Sequence, residues 1–135
     1  MAILDKFQPV TVQEMLKIIQ GTKLKSSQFD PLPAVVLKQY LDILLLVLTR
    51  IVNLSLSQGI VPGSMKEALL DPLLKQSSLD CELLSNYRLI SNLMFTSKLC
   101  EKVVAAQVTS HLSENRLPES FQPAYKVGDS TESAL

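Results

Sequence analysis

Three basic side chains follow one another along residues 86–104, and their types and order are typical of an anion-binding site. Arg88 stands in a short run of aromatic and branched residues, which is the composition of a β-strand. Lys98 and Lys102 follow four residues apart, on one face of a predicted helix. A strand with an Arg that leads directly into a helix with two Lys can bind a phosphate-like ligand. The alternative is a solvated rim of the fold.

The first half of the chain predicts helices. Thr11 and Glu14 are spaced as a capping box at the start of a short helix, and Gly21 is expected to end it. Residues 34–57 are apolar on most sides and predict a helical segment with at most one break. Helices of this composition lie inside a fold, so we expect this segment to be buried.

The second half predicts a β-hairpin followed by a helix. Residues 69–75 and 87–93 are short β-rich runs, and we expect them to pair antiparallel across a longer connector. Pro72 favours an edge position because it cannot donate to a β-ladder. The fold class is therefore α+β and mainly helical, with one antiparallel hairpin.

The helix after the hairpin has a predicted start, face and end. Thr96 or Ser97 is expected to cap it, and Asn115 and Pro118 to terminate it after about Glu114. Its apolar face is expected to comprise Leu99, Val103 and Ala106.

Composition limits how this chain could bind nucleic acid. Its 135 residues make one domain or a piece of one, and 47 % are apolar, enough for a core. The 13 basic residues are balanced by 13 acidic ones. A chain without net positive charge does not hold nucleic acid strongly by bulk charge, so any phosphate contact must be local.

The remaining composition points to an intracellular protein in the nucleus or cytoplasm. Cys81 and Cys100 form no metal-ligand pattern, and the single His111 has no nearby partner motif. We expect no secretory signal, since Asp5 and Lys6 precede any apolar run. We also expect no membrane partner, because charged residues interrupt the apolar segment short of the roughly 20 residues that a spanning helix needs.

A family resemblance changes the interpretation of the basic residues. Residues 86–104 read N-Y-R-L-I-S-N-L-M-F-T-S-K-L-C-E-K-V-V, which resembles the second characteristic block of LINE-type (non-LTR retrotransposon, jockey-like) reverse transcriptases. Residues 53–75 are similar to that family's first block. Residues 121–135, F-Q-P-A-Y-K-V-G-D-S-T-E-S-A-L, resemble its next block. Three blocks in the family's order and spacing cover most of the chain.

The resemblance implies a fragment of an RNA-directed DNA polymerase, catalytically incomplete. Residues 1–60 would be the N-terminal helical extension of the reverse transcriptase domain, and residues 61–135 the fingers portion of a truncated right-hand fold. The carboxylates that bind catalytic Mg²⁺ lie in the family's palm, after the last block, and this chain has no Asp-Asp pair. We therefore expect no catalytic residue, no metal ligand, no cofactor and no polymerase activity from this chain by itself.

The resemblance also assigns binding residues. In the family a Lys and an Arg of the fingers hairpin contact the incoming dNTP and the RNA template, and they match Lys75 and Arg88 here. Lys98, Lys102 and Lys126 would be secondary backbone contacts.

Departures from the family pattern weaken that assignment. Leu89 stands where the family usually has a Pro that restrains the preceding residue, and Gln76 where a second Lys is common. The alternative function is a non-enzymatic helical protein-interaction module, with a protein partner on the apolar surface of residues 34–56.

Overall fold

The structure, a computed structural model, describes residues 3–23, 25–115 and 117. The helices are α1 (Val12–Gln20), α2 (Ala34–Gln39), α3 (Leu41–Gln58), α4 (Gly63–Lys66) and α5 (Phe95–Glu114). The strands are β1 (Ala68–Leu74) and β2 (Tyr87–Leu93), and a short 3₁₀ turn, Leu84–Asn86, precedes β2. In these residues the fold is α+β and mainly helical, with one antiparallel hairpin, as predicted.

The predicted capping box opens α1. The backbone amide of Glu14 donates to the Thr11 hydroxyl at 3.2 Å, and the Thr11 amide donates to the Glu14 carboxylate at 2.8 Å. The Thr11 hydroxyl also donates to the Glu14 carboxylate, at 2.7 Å. The bonds from the Thr11 amide and hydroxyl favour the ionised carboxylate and therefore lower the pKa of Glu14. Gly21 caps the other end, as predicted.

Helices α2 and α3 are separated by a single residue, Tyr40, which agrees with the one break allowed by the sequence. The amide of Leu44 still donates to the Tyr40 carbonyl at 3.0 Å, so the chain continues with little interruption. Gly59 ends α3 with a φ of 64°, the left-handed conformation that glycine adopts without steric cost.

The expectation that α3 lies inside the fold was wrong. Only Leu48, Thr49, Val52 and Ser55 are buried along it. The opposite side of α3 is exposed and mostly apolar; its large apolar side chains are Ile43, Leu46, Val47, Ile51 and Leu54. Apolar composition indicated burial, but the described part of the chain supplies packing partners for one side only.

The core lies where α1, α3 and α5 meet. Phe95, Leu99 and Val103 on α5 are almost completely buried. They belong to one cluster with Met15 and Ile19 of α1, Leu48 and Val52 of α3, and Ala34 and Leu37 of α2. Of the predicted α5 face, Leu99 and Val103 are buried, whereas Ala106 is exposed.

The hairpin matches its predicted strands to within one residue. Ala68 pairs with Leu93 at the base, and Leu74 pairs with Tyr87 near the tip. The amide of Lys75 donates to the Asn86 carbonyl at 2.9 Å, which continues the ladder by one residue. Pro72 lies opposite Leu89 in this two-stranded sheet, so both strands are edges and the missing donor is tolerated.

Candidate phosphate-binding face of the hairpin

The strand register brings Arg88 and Lys75 to the same face of the hairpin. Arg88 lies directly opposite Leu73. Lys75 is two residues beyond Leu73, and side chains two apart on an extended strand point to the same side. Lys75 is therefore the diagonal cross-strand neighbour of Arg88, at a typical separation of about 7–8 Å between such positions. Both side chains are exposed.

The Lys75 ammonium is held at the tip of the hairpin. Its Nζ donates to the Ser85 carbonyl at 2.7 Å, in the 3₁₀ turn that precedes β2. A lysine ammonium has three donors, so this bond leaves two for a ligand. The sequence did not predict this bond, which restrains the Lys75 ammonium against the turn that precedes β2.

A carboxylate lies on the same face. Asp71 pairs with Ile90, and it is therefore the other diagonal neighbour of Arg88. A carboxylate at a diagonal cross-strand position competes with a phosphate for the Arg88 guanidinium. Around Arg88 the face thus offers two cations, Arg88 and Lys75, and one anion, which favours a local and weak contact.

Lys98 connects α5 to a distant loop. Its Nζ donates to the Asn92 side-chain oxygen at 2.9 Å and to the Lys25 carbonyl at 3.2 Å. Asn92 is buried, and its side-chain amide approaches the Ser26 carbonyl at 3.4 Å. These bonds give Lys98 a structural role that the sequence analysis missed.

The N-terminus of α5 is occupied by the carboxylate of Asp30. One carboxylate oxygen of Asp30 accepts from the Phe95 amide at 2.6 Å, and the other accepts from the Ser27 amide at 2.6 Å. The expected cap by Thr96 or Ser97 was wrong. The N-cap residue is Met94, and its side chain forms no capping bond. A phosphate at this terminus would meet a fixed carboxylate.

Among the described contacts, none brings Lys102 to this face. Lys102 is exposed on α5, one turn beyond Lys98. Lys126 lies outside the described residues.

An N-terminal strap, residues 7–10, lies on the opposite part of the molecule and was also missed. The Asn53 side chain of α3 accepts from the Val10 amide at 2.7 Å and donates to the Val10 carbonyl at 2.9 Å. The Gln107 side chain of α5 forms the same pair of bonds with Gln8, both at 2.8 Å. A cleft of about 610 Å³ lies between this segment, α1 and α5, away from the hairpin cations. In the sequence, the only sign of the strap is the pair of side-chain amides, Asn53 and Gln107, at helical positions. Such residues are common on helix surfaces, so they do not indicate a contact.

Within residues 3–23, 25–115 and 117, no group of three or more His, Cys, Asp or Glu side chains is placed to hold a metal ion. By length and composition one described helix, α3, could cross a membrane, with a mean hydropathy of 1.5. Core helices of soluble proteins meet the same criterion, and the absence of a membrane partner stays a prediction.

Comparison with protein-family models gives no match, and comparison with curated proteins gives none either.

Proposed function

We propose that this chain is the fingers portion of a LINE-type reverse transcriptase, and that its hairpin contacts the phosphates of an RNA template or a dNTP through Arg88 and Lys75. The proposal rests on the strand register, which places Arg88 opposite Leu73 and therefore on the same face of the hairpin as Lys75. Arg88 acts as a planar fork for two phosphate oxygens, and Lys75 as a point charge.

The proposed contact is weak. A hydrogen bond to a charged group contributes about 1.5–3 kcal/mol, so two such bonds are comparable to the lower end of the roughly 4–15 kcal/mol that association costs. Asp71 opposes the same ligand, and the chain has no net charge to attract it. We expect an affinity for short RNA or dNTP no tighter than the non-specific range of roughly 10⁻⁴–10⁻⁶ M, and a shallow dependence on salt.

Arg88 variants test the proposal. Fluorescence anisotropy with a labelled RNA oligonucleotide at several salt concentrations should show that Arg88→Ala removes most of the binding. Arg88→Lys should restore part of it, because a point charge cannot reproduce the fork. Lys66→Ala is the matched control, since it removes one exposed positive charge outside this face. Equal salt-dependent binding by Arg88→Ala and the wild type would overturn the proposal.

A second candidate function is a protein-interaction module, and it is favoured by the exposed apolar side chains of α3. Contiguous apolar patches on a protein surface mark interaction sites. A hydrophobic fluorescent dye tests whether this surface is open: Leu46→Glu should reduce dye binding, whereas Leu84→Glu, on the hairpin connector, should reduce it less. No difference between the two variants would remove this candidate.

A further inference from the structure

The exposed side of α3 carries an apolar stripe, comprising Ile43, Leu46, Val47, Ile51 and Leu54. Their spacings of three, one, four and three residues place them along one side of the helix. Val35 of α2 and Tyr40 at the junction are exposed as well. Leu46, at the middle of this extended surface, is 68 % exposed.

The only charged residues of α3 are Asp42 and Arg50, and they stand four residues before and four residues after Leu46. Both are exposed. If two α3 helices pack antiparallel across a two-fold axis at Leu46, Asp42 of each copy lies opposite Arg50 of the other. A parallel packing would instead oppose Asp42 to Asp42 and Arg50 to Arg50.

We propose that the apolar stripe binds a second copy of this chain, forming an antiparallel α3–α3 dimer with two symmetric Asp42–Arg50 pairs. The inference rests on the second candidate function and specifies its partner. Isologous contacts of this kind are the commonest form of protein self-association. The charge pairs set the orientation, and the stripe supplies the buried apolar area.

The available area predicts a dimer that depends on concentration. At about 60–120 Å² for each aliphatic side chain and about 150–250 Å² for a tyrosine, the exposed parts of the stripe with Val35 and Tyr40 offer at most roughly 500 Å² per copy. The dimer would bury at most about 1,000 Å² in total, at the lower limit of specific interfaces. Packing of the stripe into a bilayer is disfavoured, because Arg50 lies among its side chains.

Sedimentation equilibrium of the full chain tests the dimer. The mass should rise from the 14.9 kDa of one chain toward twice that value between about 1 and 300 µM. Leu46→Glu should weaken association at least tenfold while leaving the helical circular dichroism unchanged, since this side chain is exposed. Leu84→Glu is the control; it replaces a leucine that is 88 % exposed outside the stripe, and its association should equal that of the wild type.

Charge exchange tests the orientation. Asp42→Arg and Arg50→Asp should each associate at least tenfold more weakly when measured separately, because like charges then oppose one another. An equimolar mixture of the two variants should recover association, since every pair is again opposite in sign. The doubly exchanged chain should recover it as well.

Three outcomes would overturn the inference. A wild-type chain that remains monomeric at all these concentrations excludes the second copy. If such a monomer still binds the hydrophobic dye through Leu46, the surface remains open to a different protein; if it does not, the second candidate function fails too. Association that the charge exchanges leave unchanged excludes the antiparallel packing. Binding of the monomer to phosphatidylcholine vesicles would assign the stripe to a lipid surface and exclude the second copy.

Discussion

The carboxylate of Asp30 accepts a hydrogen bond from the backbone amide of Phe95, 65 residues later in the chain, at 2.6 Å. This bond satisfies an amide at the first turn of α5. The negative charge of the Asp30 carboxylate lies at the positive end of the helix dipole. Asp30 therefore does for α5 what a local cap does for other helices, and it fixes the loop of residues 25–30 against the base of the hairpin.

Removal of Asp30 should destabilise the protein. Asp30→Ala should lower the free energy of unfolding by about 1–2 kcal/mol, the usual cost of losing a helix cap. Urea denaturation followed by circular dichroism measures this change. Asp5→Ala removes an exposed carboxylate before α1 and should change stability little. Equal stability of the two variants would show that Asp30 does not act as the cap.

Lys98 and Lys102 should differ although they lie on the same helix one turn apart. Lys98→Met should lower the free energy of unfolding by about 1 kcal/mol, because it removes bonds to Asn92 and Lys25. Lys102→Met should be close to neutral, since Lys102 is exposed. Urea unfolding of both variants provides the comparison, and a larger loss at Lys102 would contradict the role of Lys98.

The capping box should make part of the stability depend on pH. The folded-state pKa of Glu14 is lowered below its ordinary value of 4.5, chiefly by the hydrogen bond from the Thr11 amide. The contribution is therefore fully present above the unfolded-state pKa and is lost as pH falls through the folded-state pKa. An NMR titration should give Glu14 a pKa below 4.5, and Glu14→Gln should reduce the acid-dependent loss of stability. A titration at or above the ordinary value would contradict the capping geometry.

The two cysteines should react at different rates with a thiol reagent. Cys81 is exposed, whereas Cys100 is buried. Burial, aided by the negative charge of Glu101, raises the pKa of the Cys100 thiol and lowers its thiolate fraction. A colorimetric disulfide reagent should modify one thiol rapidly in the native protein and the second only with unfolding in urea. Cys81→Ser should remove the fast phase; if the slow phase disappears instead, the assignment is wrong.

The side-chain amides that hold the strap should contribute unequally to stability. Asn53→Ala leaves the part-buried backbone groups of Val10 unpaired, at a cost of about 1–3 kcal/mol. Gln107→Ala should cost less, because the Gln8 groups it frees are exposed to water. Urea unfolding of both variants gives the order, and a reversed order would contradict the burial at Val10.

Local patterns predicted the elements of this fold better than their long-range contacts. The capping box at Thr11 and the paired strands around Pro72 depend on neighbouring residues, and each was located to within one residue. The Asp30 cap was missed because its partner amide lies 65 residues away and Met94 gives no polar signal. The exposed side of α3 was missed because composition shows how apolar a helix is, but not how many of its sides pack against other elements.

For the candidate site, the sequence identified the residue types but not their surroundings. The shared face of Lys75 and Arg88 follows from alternation and register, both of which are readable once the strands are placed. The competing Asp71 on that face and the tertiary bonds of Lys98 depend on the cross-strand pairing and on the loop of residues 25–30. Neither the position of Asp71 nor the bonds of Lys98 can be inferred from the spacing of the basic residues.

The strap has a consequence for the order in which the chain folds on the ribosome. Gln8 emerges early, but its partner Gln107 is made 99 residues later. At a synthesis rate of about 5–20 residues per second, Gln8 waits roughly 5–20 s before that partner exists. The loop closed by this pair is also long, which delays its formation in the free chain. The Gln8 end of the strap therefore docks in a late step, whereas the Val10 end can bind Asn53 once α3 has been synthesised.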